Sequence, residues 1–319
     1  MRTSFLALAL LFASPALAAD WAIAIHGGAG VIERGKLSAA DDAAIRAALG
    51  EALDAGSAVL NGGGAAVDAV VAAVTKLEES PWFNAGVGAV LTSAGTVELD
   101  AAIMDGASRR AGAVTGVKST RSPIALARTL MDKGPHVFLA GDAPDAYAIA
   151  HGLPQVPNSH FLTPRRVEQL KQLQMQGTGA ALRPEARMGT VGAVARDVRG
   201  NLAAGTSTGG LTGKAPGRVG DAPVIGAGTL ANNSSCAVSA TGSGEIFIRA
   251  QAASQVCAKA PLQAAADATM ADIGRLGGDG GLIALSQTEG PLFALNSTGM
   301  YRGRATASGI RNISIYGDE

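Results

Sequence analysis

Apolar positions in this chain come in short runs broken by glycine-rich turns, and the period of each run separates strands from helices. Trp21-Ala22-Ile23-Ala24-Ile25 reads as a strand, and His26-Gly27-Gly28-Ala29-Gly30 as the tight turn leaving it. Successive glycines let backbone N–H groups converge there, but their spacing is not that of a dinucleotide-binding fingerprint. Ser38, with Asp41 three residues on, caps a helix that runs to about residue 60 and ends at Asn61-Gly62-Gly63-Gly64. A second helix, 65–78, carries Val67, Val70, Val71 and Val74 on an apolar face. An irregular loop over 77–88 follows, in which Glu78 and Glu79 stand beside Pro81. Residues 97–106 read as a strand entering a turn, and 110–116 continue the β pattern. A helix starts at Pro123, a short strand covers 136–140, and a helix covers 145–150.

From 155 to 188 the chain is polar, rich in Gln, Arg, Gly and Pro, with a marginal helix over 165–176. It reads as a loose linker into an ordered second half, the kind of segment that tolerates a cut. Gly189-Thr190-Val191-Gly192 then opens a strand over 191–196. The turn Asp197-Val198-Arg199-Gly200-Asn201 leads to a second strand ending in Thr206-Ser207-Thr208-Gly209-Gly210. Alternation and turn residues together make a β-hairpin. Further strands fall at 224–226, 237–240, 282–286, 293–296, 300–303 and 313–316, and helices at 244–259 and 262–275. The pattern alone implies one α/β or α+β domain.

Composition narrows this picture. The 47% hydrophobic and 16% charged content of 319 residues suits a compact globular chain and excludes a disordered one. Lys+Arg and Asp+Glu balance at 26 each without a long basic run, which argues against nucleic acid or an anionic membrane as partner. Arg2, an apolar run over 5–13, and Ser14-Pro15-Ala16-Leu17-Ala18 have the form of a secretory signal peptide cut after Ala18. This predicts a periplasmic or secreted protein with no membrane anchor in the mature form, the domain then spanning 19–319. Export permits a disulfide between Cys236 and Cys257, and two buried thiols fit the sequence equally. The four histidines, His26, His136, His151 and His160, are scattered and match no metal spacing; His26 reads as a buried turn residue.

The candidate chemistry centres on Thr190. A strand threonine after a surface loop is ordinary. A threonine freed at its amino side carries its own base, because an α-amine titrates near pH 8 and can take the hydroxyl proton. Around it the chain presents Gly189-Thr190-Val191-Gly192, Thr206-Ser207-Thr208-Gly209-Gly210, Gly217-Arg218-Val219-Gly220-Asp221 and Thr241-Gly242-Ser243-Gly244-Glu245. His26-Gly27-Gly28-Ala29-Gly30, Phe83-Asn84-Ala85-Gly86 and Met104-Asp105-Gly106 precede them. In this order, and spread over nearly all of the mature chain, these stretches resemble the plant-type asparaginase and isoaspartyl peptidase family of N-terminal nucleophile hydrolases.

The resemblance implies a four-layer αββα sandwich. It implies that Thr190 attacks the Gly189 carbonyl, leaving an α fragment 19–189 and a β fragment 190–319. The chain departs from the family at Met188, where the family usually has histidine. By the same resemblance Thr208 tunes the nucleophile, Thr241 and the Gly242 N–H form the oxyanion hole, and Arg218, Asp221 and Gly244 hold the α-carboxylate and α-ammonium of an aspartyl substrate. Gly28 and Asn84 pack beside the threonine. The loop 77–86, with Glu79 and Phe83, would wrap a structural sodium ion, mostly with main-chain carbonyls. No catalytic cofactor is implied, and the family assembles as a dimer of two-fragment protomers. Substrates would be L-asparagine or β-aspartyl dipeptides. Glycosylasparaginase, which acts on sugar-linked asparagine, is the nearest rival, although Thr208-Gly209-Gly210 and Ala231-Asn232-Asn233-Ser234 look more like the isoaspartyl branch. A secreted amino-acid-binding protein that never matures is the non-enzymatic alternative.

Overall fold

The computed structural model describes residues 20–176 and 189–319. The leader reading over 1–18 and the later linker, 177–188, lie outside them. The chain runs β1 (Ala22–Gly30), α1 (Ala39–Asn61), α2 (Ala66–Glu79), β2 (Leu99–Asp105), β3 (Ala111–Val117), α3 (Pro123–Lys133), β4 (Phe138–Leu139) and α4 (Ala143–Ala150). A 3₁₀ turn (Asn158–Phe161) and α5 (Pro164–Gln176) complete the first part. The second part holds β5 (Val191–Arg196), β6 (Leu202–Thr208), β7 (Thr229–Ala231), β8 (Ala237–Gly242), α6 (Gly244–Ala250), α7 (Ala252–Cys257), α8 (Leu262–Arg275), β9 (Gly280–Leu285), β10 (Leu292–Leu295), β11 (Gly299–Thr306) and β12 (Arg311–Tyr316).

Eight strands form one sheet in the order β12-β11-β1-β5-β6-β2-β3-β4, and four form a second in the order β10-β9-β8-β7. Every pairing is antiparallel except β3 with β4. Helices α1, α2 and α3 cover the outer face of the large sheet, and α7 and α8 that of the small one. The sheets pack face to face, giving an αββα sandwich. Strand periodicity divides the core. Ile23, Ile25, Val191 and Ala193 face the helices, whereas Ala22, Ala24, Val194 and Ala204 face the second sheet. Both faces are buried, so these strands read as unbroken apolar runs rather than alternating ones. A further apolar cluster, including Val238, Phe247, Ala253 and Ile273, fills the space under α6–α8.

Several expectations are met locally. Ser38 Oγ accepts the Asp41 N–H at 3.1 Å, capping α1. The hairpin of β5 and β6 forms with Val191 opposite Ser207 and Arg196 opposite Leu202.

Others are corrected. The turn expected at 26–30 is strand: β1 continues through Gly30 by way of a bulge between His26 and Gly28. His26 is accordingly a strand residue. The helix expected over 244–259 is two, because Gln251 sits at φ 49° between α6 and α7. Residues 155–176 are packed rather than loose. Phe161 is fully buried, and the buried Arg166 donates from Nε to the Gly88 carbonyl at 2.6 Å. Cys236 and Cys257 are joined in a disulfide.

Candidate active site

Thr190 stands at the mouth of β5, and hairpin register carries it to Thr208 across the pair of Val191 and Ser207. Its buried Oγ1 donates to Thr208 Oγ1 at 3.1 Å. Thr208 Oγ1 is fixed in turn by the Gly210 N–H at 3.0 Å. On the other side of Thr190 the backbone of Gly189 lies at φ +104°. Gly28, at φ +116°, presses against it: a Cβ on Gly28 would fall 2.3 Å from the Gly189 Cα. Only two residues without side chains can meet this way. Asn84 closes the same corner. Its Nδ2 donates to the Gly210 carbonyl at 2.7 Å, its Oδ1 accepts the Val90 N–H at 2.9 Å, and its carbonyl accepts the Gly209 N–H.

The second sheet contributes Thr241 and Gly242 at the end of β8. Thr241 Oγ1 accepts the Ala29 N–H at 3.4 Å, which leaves its own proton to donate. Gly242 lies at φ +146°, where a Cβ would strike the Asp279 carbonyl at 2.2 Å. Ser243 heads α6, yet its hydroxyl makes no cap bond there. It donates instead to Asp279 Oδ1 at 2.6 Å.

Arg218, Asp221 and Gly244 meet at one place. A Cβ on Gly244 would lie 2.9 Å from Asp221 Oδ1 and 3.0 Å from Arg218 Nη2. One on Gly210 would lie 3.3 Å from Arg218 Nη1, so the group is continuous with Thr208. Arg218 forms a two-point ion pair with Glu245, at 2.9 and 2.8 Å, rather than with Asp221. Asp221 is buried, and its Oδ2 has no hydrogen-bond partner among the described residues. Burial pushes its carboxyl up to about 7, against backbone N–H groups and the Arg218 charge, which pull it down. An arginine and an under-satisfied buried carboxyl side by side suit a zwitterionic amino-acid end.

Three groups make contacts at the site that the sequence reading did not assign to them. His26 is fully buried, with Nδ1 3.0 Å from the Thr190 carbonyl and Nε2 2.8 Å from Ser239 Oγ; burial pulls its ring down to about 3. Glu78 is buried too, not solvated, and accepts from Ser207 Oγ at 2.6 Å, Ser122 Oγ at 2.5 Å and the Ile124 N–H at 2.9 Å. Burial pushes it up to about 7 against those donors. A signal existed: Val70, Val74 and Glu78 are spaced four apart, on one helical face. Lys214 is the third. Its Nζ donates to the Glu98 carbonyl at 2.9 Å and sits 3.7 Å from Asp100, anchoring the loop that carries Arg218. Burial depresses Lys214 and raises Asp100.

Of the loop residues, Phe83 is buried edge-on to Tyr301, with ring centroids 6.0 Å apart. Glu79 lies at the half-exposed end of α2, and its carboxylate pairs with Lys76 and Arg121.

A family model described as asparaginase matches residues 19–315. The chain is 46% identical over 306 residues to an isoaspartyl peptidase of Salmonella typhimurium, covering 92% of this chain and 98% of that one. It is 45% identical over 306 residues to an isoaspartyl peptidase of Escherichia coli, covering 92% and 95%. It is 40% identical over 284 residues to an isoaspartyl peptidase/L-asparaginase of Homo sapiens, covering 87% and 91%.

Proposed function

Because the chain belongs to the isoaspartyl peptidase/L-asparaginase family of N-terminal nucleophile hydrolases, we propose that it is an autoprocessing threonine amidohydrolase acting on β-aspartyl dipeptides and L-asparagine. The observation that carries this reading is the Thr190 corner. A hydroxyl bonded to Thr208 follows a glycine held at positive φ against a second glycine. Thr190 Oγ attacks the Gly189 carbonyl, and the acyl group moves from nitrogen to oxygen. Water then hydrolyses the ester to leave a carboxylate on Gly189 and an amine on Thr190. That amine next takes the Thr190 hydroxyl proton, and Oγ attacks the substrate's side-chain amide carbon. The Thr241 hydroxyl and Gly242 N–H receive the oxyanion. The amine or ammonia leaves with a proton, and water releases L-aspartate from the ester. Arg218 takes the α-carboxylate, while Asp221, beside Gly244, takes the α-ammonium.

The maturation is tested on the whole chain. Wild type separates in denaturing gels into two fragments, the smaller beginning Thr-Val-Gly-Ala, and the larger reports where any leader was removed. Thr190→Ala stays uncut and inactive, and activity in that variant would overturn the reading. Side-by-side rates on L-asparagine, a β-aspartyl dipeptide and sugar-linked asparagine rank the substrates, and preference for the last would favour the glycosylasparaginase alternative.

Three further expectations belong here. Residues 1–18 direct export, so the mature enzyme works in the periplasm or outside the cell. Two cleaved protomers assemble as a dimer. A sodium ion sits in the loop 77–86. The fit of that loop is supported by two of its carbonyls: a Cβ on Gly88 would lie 2.6 and 2.9 Å from the Pro81 and Phe83 oxygens, which therefore converge. Main-chain oxygens of this loop would hold the ion, which would stiffen the Asn84 corner without entering the reaction. Melting at equal ionic strength in sodium and in choline measures it: sodium should raise the midpoint, and equal midpoints would remove the ion from the account.

A further inference from the structure

Thr190 has to keep its orientation after losing the peptide bond that anchors its nitrogen. What remains is its carbonyl, and that carbonyl is met by an imidazole from β1, His26 Nδ1 at 3.0 Å. The ring's other nitrogen starts a row of buried hydroxyls reaching into the second sheet. Nε2 lies 2.8 Å from Ser239 Oγ. Ser239 lies 2.7 Å from Thr206 Oγ1, and Thr206 2.6 Å from Thr229 Oγ1.

Proton counting gives the row a direction. A carbonyl only accepts, so Nδ1 carries the hydrogen. The ring is buried and neutral, so Nε2 accepts from Ser239. Ser239 has one proton and spends it there, so it accepts from Thr206. Thr206 has a competing acceptor in the Gly228 carbonyl, but at 3.3 Å rather than 2.7 Å. Strand β5 is shaped for this contact. Gly192 pairs with His26, and a Cβ at 192 would fall 2.0 Å from Ser239 Oγ and 2.5 Å from His26 Nε2. The bulge after His26 belongs to the same arrangement.

We propose that His26 is a positioning residue for Thr190, its Nδ1–H gripping the Thr190 carbonyl while Ser239 and Thr206 hold the ring in that one tautomer. This deepens, and rests on, the reading of Thr190 as nucleophile. Rotation about the Val191 N–Cα bond would turn the Thr190 carbonyl off the ring and swing Oγ away from Thr208; the imidazole on that carbonyl opposes it without touching substrate. His26 acts on kcat, therefore, and leaves the Arg218 and Asp221 pocket alone.

The test uses two amides that each keep half of the ring. In His26→Asn the side-chain nitrogen replaces Nδ1 and still reaches the Thr190 carbonyl. In His26→Gln the amide reaches Ser239 and leaves the carbonyl unheld. We expect His26→Gln to lower kcat roughly ten- to hundredfold with KM nearly unchanged, the loss that follows from one buried acceptor left unpaired. His26→Asn should retain most of kcat. Equal losses in two variants that melt like wild type would overturn the proposal. Nitrogen correlation spectra of the histidine rings in unmodified enzyme provide a second measurement that needs no variant to fold. They should give a neutral ring protonated at Nδ1, assigned by its disappearance in His26→Asn or, if that variant does not fold, by its contact to the Val191 amide. A ring protonated at Nε2, or at both nitrogens, would overturn it as well. Neither result bears on whether the small fragment begins at Thr190, so failure here and failure of the nucleophile reading are told apart.

Discussion

Asp221 carries a carboxyl that burial places at about 7, against an ordinary 3.8, so near neutral pH it is divided between its two forms. The sign of the consequence differs for stability and for binding. Between the unfolded and folded values the folded chain holds a proton that the unfolded chain releases. The stability this group contributes is therefore present at acid pH and lost as pH rises through about 7. Binding an α-ammonium needs the carboxylate, so affinity gains over the same interval. KM should fall as pH rises from about 6 to about 7.5. Asp221→Asn should raise KM by about tenfold or more and flatten that dependence. Glu78, also held near 7, lies behind β6 and would register in kcat; the difference between wild type and Asp221→Asn isolates the pocket. A flat KM profile in wild type would remove Asp221 as the ammonium partner. The candidate residues themselves were legible because they sit in short, distinctive stretches such as Gly217-Arg218-Val219-Gly220-Asp221. His26 was not, because its meaning lies in partners 164 and 213 residues away. Local sequence carries no record of such contacts.

Among elements, legibility followed the strength of the local code. The β5–β6 hairpin was readable because alternation and turn chemistry agree. Helix α1 was readable because Ser38 and the glycines after Asn61 mark both ends. The end of β1 was not: three glycines look like a turn, and only pairing with β11 keeps them in the sheet. The break between α6 and α7 was equally silent, since Gln251 is neither glycine nor proline and takes φ 49° where the chain must redirect α7. Residues 155–176 looked like linker because their polar faces dominate; Phe161, Arg166 and Leu170 are the few that bury, and they suffice to dock the segment. The two cysteines could not be paired from sequence, which holds no distance. Folding brings their Cα atoms to 5.2 Å, tying the start of β8 to the end of α7. Closing a separation of 21 residues contributes about 3 kcal/mol through loop entropy in the unfolded chain, on the strand that ends in Thr241 and Gly242.

At the scale of the whole molecule, strand order decides what the proposed self-cleavage would do to the fold. Cutting at Gly189 assigns β1 and β2 to one fragment and β5, β6 and β11 to the other. In the large sheet β1 lies between β11 and β5, and β2 is paired with β6. Both β1 and β2 therefore bond to the second fragment along their length. The core is shared in the same way: Ile23, Leu53 and Val70 from the first fragment pack in one cluster with Val191, Ala193 and Tyr301 from the second. Separating the fragments would expose that cluster and three rows of strand hydrogen bonds at once, those of β1 with β11, β1 with β5 and β2 with β6, a cost on the scale of unfolding rather than of dissociating an ordinary interface. The cleaved enzyme should thus run as a single species in native gel filtration, even after dilution. The fragments should part only across the denaturant transition that also abolishes secondary structure. Thr190→Ala, with the junction intact, should lose its secondary structure in one transition of similar denaturant slope, because the slope follows the surface exposed and the cut leaves that surface nearly unchanged. Release of either fragment under native conditions would mean that the interleaving does not survive maturation, and the site, whose Thr190 and Thr208 come from one fragment and Gly28 and Asn84 from the other, would come apart with it.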